Sequence, residues 1–202
     1  MSETRANQDG DRRVRRTRQA LRDALIALIQ ERGYDATSVQ DVVERADVGR
    51  STFYGHFTDK EDLLLWAFRE LHMSGAEPGS ADASLVSVSR SMLERAGTER
   101  GLFRAVFGRF GSGAVQRRME GEVFAWAGEE FRRLAPASDP DDVAMSAAIA
   151  VGAFMSLLRW WIEAEAPVPS NRVSRAFEAS VVPGICEALR IAPEALTGES
   201  AA

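Results

Sequence analysis

The feature that most constrains this chain is the helical spacing of apolar residues in its first 72 residues. Over about residues 12–32 the apolar side chains fall on one face of a helix: Val14, Leu21, Leu25, Leu28 and Ile29. Gly33 follows at the position where glycine commonly ends a helix. No alternating run of β-branched residues persists long enough to predict a strand. The sequence therefore predicts an all-α fold.

Three more helices are predicted before residue 72. The second begins with Thr37 as N-cap and Gln40 three residues later, which has the form of a capping box, and runs to about Arg45. A short third helix runs from residue 49 or 50 to 56. The fourth opens with the similar box Thr58 to Glu61. Two short helices joined by about three residues predict a helix-turn-helix.

The predicted turn and third helix suit contact with DNA. Asp47 lies in the turn, where a left-handed backbone is needed and aspartate is among the more tolerant non-glycine residues. The side of the third helix away from Val48 and Phe53 carries groups that hydrogen-bond to base edges and phosphates: Arg50, Ser51, Thr52, Tyr54 and His56.

The charge distribution supports the same location. The net charge of the chain is -5, which by itself argues mildly against binding nucleic acid. Residues 12–60, however, carry ten basic and seven acidic residues, whereas residues 61–202 carry 14 and 20. Five arginines lie within residues 12–18. From this cluster Arg12, Arg13 and Arg16 are candidate DNA contacts, on phosphates or in the minor groove, with a solvated helix start as the alternative.

These residues resemble a known family. The stretch from Ile29 to Leu63 is similar to the DNA-binding domain of TetR-family transcriptional regulators, most closely in Ser51-Thr-Phe-Tyr-Gly-His-Phe-Thr-Asp-Lys-Glu-Asp-Leu63 and in Glu31-Arg-Gly-Tyr34. The resemblance covers about residues 14–68. Asp47 and Gly49 depart from it, since the family usually has a turn glycine and a serine or threonine cap there.

The resemblance implies roles for individual residues. The recognition helix presents Arg50, Ser51 and Thr52 to the major groove, and Tyr54 and His56 to the backbone or an adjacent base. The starts of helices 2 and 4 bind phosphate through Thr37, Ser38 and Lys60. The alternatives are structural roles for Tyr54 and His56 and a solvated Lys60. Phe53, Phe57 and Tyr34 are predicted core residues.

The rest of the chain is predicted to be helical. A small-residue stretch at 74–84 separates it from the first part, and five segments follow at about 84–96, 98–110, 113–135, 140–165 and 171–190. Pro183 is expected to kink the last. The predicted domains are a flexible tail at 1–11, a helix-turn-helix domain with three core helices at 12–72, and a helical effector-binding and dimerisation domain at 73–202.

The last two segments predict a homodimer. The 140–165 helix is apolar nearly all round, which a chain of this length struggles to bury. The resemblance implies that these helices pair with their copies, and two subunits suit a palindromic operator. The candidate interface residues are Val151, Phe154, Leu158, Val173, Phe177, Val181 and Ile185. The alternative is that they form only the chain's own core.

Met and aromatic residues in the middle helices are either core or the lining of an effector site. The resemblance favours a small, largely apolar effector, because such regulators usually enclose one here. The candidates are Met92, Phe103, Phe107, Met119, Phe124, Trp126, Met155 and Trp160. One of the adjacent residues Trp160 and Trp161 is expected to face the interior and the other the surface.

The predicted function is thus a DNA-binding transcriptional regulator, not an enzyme, with repression more expected than activation. An all-α enzyme is disfavoured because no cluster of catalytic groups and no metal-binding motif stands out, and no cofactor or metal is predicted. A protein-interaction module that does not bind DNA is the other alternative. The uncharged run Val143 to Leu158 is short for a membrane span. The Arg-rich start lacks a signal-peptide core, so a cytoplasmic protein is expected.

Overall fold

A computed structural model describes residues 2–72, 83–165 and 168–198, with the backbone alone for residues 2–11 and 70–72. These residues form helices joined by turns and contain no strand, which confirms the all-α fold. The helices are α1 (Ser2–Arg32), α2 (Val39–Arg45), α3 (Arg50–Tyr54), α4 (Lys60–His72), α5 (Leu85–Thr98), α6 (Arg100–Phe107), α7 (Gly113–Leu134), α8 (Pro140–Glu163), α9 (Ser170–Leu189) and α10 (Pro193–Thr197).

Helix α1 begins ten residues earlier than predicted. Its backbone is helical from Ser2, so the start predicted at Arg12 is wrong and helical backbone crosses the expected tail at 2–11. Extending an existing helix avoids the cost of nucleation, and the chain has no proline in its first 77 residues to stop it. The other end is as predicted: Gly33 has a φ of +87°, a conformation that glycine adopts readily.

The start of α2 lies one residue later than predicted. The hydroxyl of Ser38 accepts the backbone N–H of Asp41, and the Asp41 carboxylate accepts the backbone N–H of Ser38. This reciprocal capping box belongs to Ser38, not Thr37. Thr37 is buried, and its hydroxyl donates to the Gly33 carbonyl at 2.8 Å.

The start of α4 is also capped differently. Asp59 accepts the backbone N–H of Asp62 at 2.8 Å, and the Asp62 carboxylate accepts the backbone N–H of Thr58 at 3.0 Å. The side chain that caps α4 is therefore that of Asp59, the return bond joins Asp62 to Thr58, and the predicted box from Thr58 to Glu61 is wrong. Aspartate fills both positions because its short side chain reaches nearby backbone N–H groups.

The C-terminal helices pack around α8, which lies against α6, α7 and α9, while α5 crosses α9. The predicted segment 98–110 is shorter in the structure, as α6 ends at Phe107, and α10 was not predicted. Helix α9 continues through Pro183. By length and composition α8 is apolar enough to cross a bilayer, but one of its faces is buried inside this chain.

Several polar and close contacts join α1 and the α1–α2 connection to the rest of the described chain. Arg22 of α1 forms an ion pair with Glu99 at 2.9 Å. Gly101 of α6 lies so close to α1 that a Cβ atom there would come within 2.5 Å of the Gln30 side chain. The backbone N–H of Tyr34 donates to the Phe110 carbonyl at 2.8 Å.

Candidate nucleic-acid interface

The turn between α2 and α3 has the geometry that the sequence predicts. Asp47 is left-handed with a φ of 53°, and Val48 donates its N–H to the Val43 carbonyl across the turn at 3.0 Å. Phe53 is fully buried and packs against Phe57, with the ring planes tilted by 53° and the centroids 6.0 Å apart, so that α3 is anchored by a single large side chain. Burial of one phenyl ring fixes which side of this short helix faces solvent.

The solvent side of α3 carries the residues predicted to read DNA. Arg50, Ser51, Thr52 and Tyr54 are all exposed, and His56 is partly exposed just beyond the helix. The Arg50 guanidinium lies 5.7 Å from the centre of the Tyr54 ring. Gly49 caps α3 without a side-chain hydrogen bond, as its lack of a hydroxyl predicts. The structure therefore places five candidate residues on one polar surface.

The two candidates at the start of α2 differ from each other. Ser38 is exposed, but its hydroxyl and N–H are both bonded to Asp41. These bonds, followed by the guanidinium of Arg32 at 2.8 Å, lower the pKa of Asp41 to about 2. Thr37 is buried with its hydroxyl engaged, so its predicted phosphate contact is wrong in this arrangement. A carboxylate thus already occupies the cap where a phosphate was expected.

Lys60 turns towards the protein. Its Nζ donates to the carbonyl oxygens of Tyr34 at 2.6 Å and Thr37 at 2.7 Å, and it lies 4.0 Å from the centre of the Tyr34 ring. Partial burial lowers the pKa of this ammonium group. Burial raises the pKa of Tyr34 to about 12. Both expectations for Lys60, a phosphate ligand or a solvated side chain, are therefore replaced by a link between α4 and the α1–α2 connection.

The basic candidate residues of α1 are exposed to solvent. Arg12, Arg13 and Arg16 are exposed in the N-terminal half of this helix.

Sequence reasoning missed the ion pair of Glu31 with Arg45, at 2.9 and 2.7 Å, which links α1 to α2 and lowers the pKa of Glu31. Their separation of 14 residues gives no periodic signal. The sequence distinguishes Arg18 only as one of the five arginines within residues 12–18.

The predicted effector residues do not form one site. Met92 and Trp126 line a small apolar cavity of about 20 Å³ between α5, α7, α8 and α9, together with Leu85, Val88, Ser89, Val123, Ala150, Val151, Phe154 and Phe177. That volume holds about one water molecule. Phe103 and Phe107 instead pack edge-on or tilted around Phe68 of α4.

The other four effector candidates are dispersed. Met119 and Met155 are buried in the core, whereas Phe124 and Trp160 are exposed. Trp161 is buried, and its ring N–H donates to the Val168 carbonyl at 2.7 Å. The expectation that Trp160 and Trp161 face opposite ways is confirmed. Adjacent residues of a helix point about 100° apart, so one tryptophan can be buried while the other is exposed. Trp160 therefore lines no interior site in this arrangement.

The predicted dimerisation residues lie inside the chain. All seven are buried, and Phe154 of α8 packs edge-on to Phe177 of α9 at 5.4 Å between centroids: Val151, Phe154, Leu158, Val173, Phe177, Val181 and Ile185. Assigning them to a subunit interface is wrong for this conformation. The opposite sides of the same helices are exposed and made of apolar or small residues: Ala144, Met145, Ala148, Ile149, Gly152, Ala176, Ala179, Ser180, Pro183 and Gly184.

In the part of the chain that the structure describes, no three His, Cys, Asp or Glu side chains gather where they could hold a metal ion. Cys186 is a free buried thiol, and burial raises its pKa.

Comparison with known proteins agrees with the N-terminal geometry. A family model described as "Bacterial regulatory proteins, tetR family" matches residues 21–66. The HTH-type transcriptional regulator TcmR of Streptomyces glaucescens is 30% identical over 108 residues, which is 52% of this chain and 43% of that protein. The uncharacterized HTH-type transcriptional regulator YxbF of Bacillus subtilis is 40% identical over 55 residues, 27% and 14% of the two chains. This chain thus spans less than half the length of these curated relatives.

Solved structures extend the likeness of fold to most of the chain. A TetR transcriptional regulator from Streptococcus agalactiae has a TM-score of 0.64 at 23% identity, covering 87% of this chain and 98% of that one. MexZ of Pseudomonas aeruginosa, described as a key repressor responsible for antibiotic resistance, has a TM-score of 0.57 at 19% identity, with 89% and 98% covered.

Residues 21–66 are therefore similar to the TetR family of bacterial regulatory proteins, and most of the chain shares the fold of solved members of that family. Members of this family are transcriptional regulators and not enzymes, in agreement with the sequence prediction.

Proposed function

We propose that this protein is a DNA-binding transcriptional regulator that reads a palindromic operator as a homodimer and is released by a small, largely apolar effector. The observation that carries DNA binding is the surface of α3. Its single buried anchor, Phe53, leaves Arg50, Ser51, Thr52 and Tyr54 together on the exposed side of a helix-turn-helix. These side chains match the donors and acceptors of a major groove.

The contacts divide into reading and positioning groups. Arg50, Ser51 and Thr52 read base edges, with Tyr54 and His56 on the backbone or an adjacent base. The exposed cation set on α1 provides sequence-independent attraction through Arg12, Arg13 and Arg16. Ser38 reaches phosphate only by exchanging its bonds with Asp41.

Selection of bound duplexes from a random DNA pool tests the main proposal. The wild-type protein is expected to enrich a palindrome with two half-sites about one helical turn apart. Tyr54→Ala is expected to bind the enriched duplex less tightly. Arg133→Gln, which removes a charge paired with Glu130 on α7, serves as the control. Failure of the wild type to enrich DNA at both low and moderate salt would overturn the proposal.

The dimer surface that we propose is the exposed side of α8 and α9. Met145 and Ile149 are 55% and 60% exposed there, which is uncommon for large apolar side chains in the middle of a long helix. Ala148, Gly152 and Ala176 are small enough to let two helices approach closely. Sedimentation at micromolar concentration is expected to give the mass of two chains.

The effector proposal rests on the cavity between α5, α7, α8 and α9. Its lining is apolar apart from Ser89, and methionine and aromatic side chains repack readily around ligands of different shape. A cavity of about 20 Å³ holds no effector as it stands, so binding requires these helices to separate. An effector that favours the separated state shifts the population away from the DNA-binding one.

Fluorescence of the tryptophans, among them Trp126, during titration with a panel of apolar compounds tests this site. A binder is expected to weaken DNA affinity, and Ala150→Leu, which fills the cavity, is expected to abolish its effect. A binder whose effect survives Ala150→Leu acts elsewhere.

Repression is the proposed outcome at the promoter, and a cytoplasmic location follows from binding DNA. The relatives include both outcomes: MexZ is described as a repressor, and DhaS of Lactococcus lactis, 36% identical over 52 residues, as an operon activator. A reporter gene under the selected operator distinguishes them, since loss of the regulator raises expression only in the case of repression.

A further inference from the structure

Arg18 of α1 is held against two aromatic rings. Its guanidinium carbon lies 5.7 Å from the centre of the Phe57 ring and 5.6 Å from that of Trp66. The two rings are tilted by 52° with centroids 5.4 Å apart, so together they form a shallow aromatic cradle. Contacts of this kind hold an arginine side chain in place while leaving the edges of the guanidinium open.

The hydrogen-bonding groups of Arg18 lack an acceptor. Within the described residues its guanidinium forms no ion pair and no hydrogen bond, and its Nε is buried without a partner. Other arginines of α1 are paired, as Arg22 is with Glu99 and Arg32 with Asp41. A guanidinium has five N–H donors and no acceptor, and ring faces do not accept them as an oxygen does. The unmet donors call for an anion.

The position of Arg18 identifies the anion. Phe57 follows His56 in the connection between α3 and α4, and their ring centroids are 6.3 Å apart. A row of ring contacts runs from Tyr54 through Phe53 to Phe57 and Trp66, with centroids 5.4, 6.0 and 5.4 Å apart. Arg50 lies against the first ring of this row and Arg18 against the last pair. The packing that anchors the recognition helix thus also fixes the place of Arg18 beside it.

We propose that Arg18 binds a phosphate of the DNA backbone beside the recognition helix, and that Phe57 and Trp66 are positioning residues that hold it there. The phosphate oxygens accept the N–H groups left open at the edge of the guanidinium. This contact is independent of base sequence and rests on the proposed DNA binding. The sequence cluster Arg12 to Arg18 predicted basic character, but only the structure separates Arg18 from its exposed neighbours.

The test is binding of the full chain to a mixed-sequence duplex of 30 base pairs, measured by fluorescence anisotropy from 50 to 200 mM salt. Arg18→Gln is expected to weaken binding about tenfold and to reduce the slope of log affinity against log salt by about 0.9 for each subunit bound. Arg18→Lys is expected to retain the slope. Arg133→Gln, which removes the same charge on α7, is expected to change neither quantity.

Trp66→Leu tests the positioning role. It is expected to weaken binding severalfold in the wild-type background and to have no further effect in Arg18→Gln, because the two residues act through one contact. Melting temperatures of all variants are measured in parallel. A wild-type slope in Arg18→Gln, with or without a lower melting temperature, would make Arg18 purely structural and overturn the inference. Failure of the wild type to bind any duplex would instead overturn the proposed function.

Discussion

The end of the molecule that we propose to read DNA, formed by α1–α4 and called the DNA-reading end, and the helical body formed by α5–α10 expose surfaces of opposite kinds. Helix α3 has five residues and one buried side chain, Phe53, and everything else on it faces solvent as a donor, an acceptor or a charge. Helix α8 has 24 residues, a buried face that is apolar apart from Ser146, and an exposed face that is also apolar around Ile149. For α3, the kind of partner can be inferred from the hydrogen-bonding and charged side chains that it exposes. For α8, the partner can be inferred only from the apolar face that the neighbouring helices leave uncovered.

The sharpest contrast within the DNA-reading end is between its anchor and its reading residues. Phe53→Ala removes a fully buried ring and is expected to lower the free energy of unfolding by about 3–5 kcal/mol. Tyr54→Ala, at a half-exposed neighbour, is expected to cost less than about 1 kcal/mol while still weakening DNA binding. Urea titrations compare the stabilities. Equal losses of stability would contradict the assignment of inner and outer sides of α3.

In the helical body, the exposed face of α8 is the surface to disrupt by substitution. Ile149→Glu places a charge on the proposed dimer surface and is expected to weaken the dimer by about 2–4 kcal/mol, on the scale of a central interface residue. Ala125→Glu, at an exposed position of α7, is the matched control. Sedimentation at several concentrations measures the change. A dimer that persists in Ile149→Glu would place the interface elsewhere.

Lys60 differs from the exposed residues of α3, since its ammonium group is bonded to carbonyl oxygens of the protein. Lys60→Met removes two charged hydrogen bonds at a partly exposed site and is expected to cost about 1–2 kcal/mol. Its effect on the salt slope of DNA binding is expected to stay below the 0.9 or so of a full phosphate contact. Thermal melting and salt titrations separate the two effects. A full loss of slope with unchanged stability would restore the phosphate role.

The smallest expected effect is in the acid stability of the α2 cap. The pKa of Asp41 is lowered from 3.8 to about 2 in the folded protein, first by the Ser38 hydroxyl. A lowered folded pKa stabilises the protein above about pH 4, and this stabilisation disappears as the pH falls towards 2. Asp41→Asn is therefore expected to melt at a lower temperature than wild type at pH 6, with the difference shrinking towards pH 2. A difference that is constant over this range would contradict the linkage.

The two ends also differ in how far sequence alone predicts them. At the reading end, chemistry, turn geometry and a family motif coincide, so Asp47, Phe53 and the exposed face of α3 were all predicted. Each predicted cap lies one position from the observed one because two residues able to cap stand side by side. Burial distinguishes Thr37 from Ser38, whereas Thr58 and Asp59 are both exposed and differ only in their hydrogen bonds. The inward turn of Lys60 depends on carbonyls more than 20 residues away.

In the helical body the helices were predicted but their faces were not. Residues such as Ile185 and Phe154 recur at helical spacing, and that pattern marks a buried stripe without saying whether the chain or a partner buries it. Apart from Met145, Ile149 and Pro183, the exposed stripe of α8 and α9 is built from alanine, glycine and serine, which carry little periodic signal. The effector candidates are dispersed for a related reason, since methionine and aromatic side chains fill cores as well as line cavities, and of the eight candidates Met92 and Trp126 line the cavity.

Tyr34 has a mechanical consequence for the molecule. Its N–H donates to the Phe110 carbonyl in the middle of the α6–α7 connection, and its own carbonyl accepts a hydrogen bond from Lys60 at the start of α4. A displacement of residues 108–112 therefore pulls on the first turn of α4 through two hydrogen bonds in series. Tyr34 therefore couples the two parts of the molecule mechanically. The strength of its two hydrogen bonds limits how far the helical body can shift without moving the DNA-reading end.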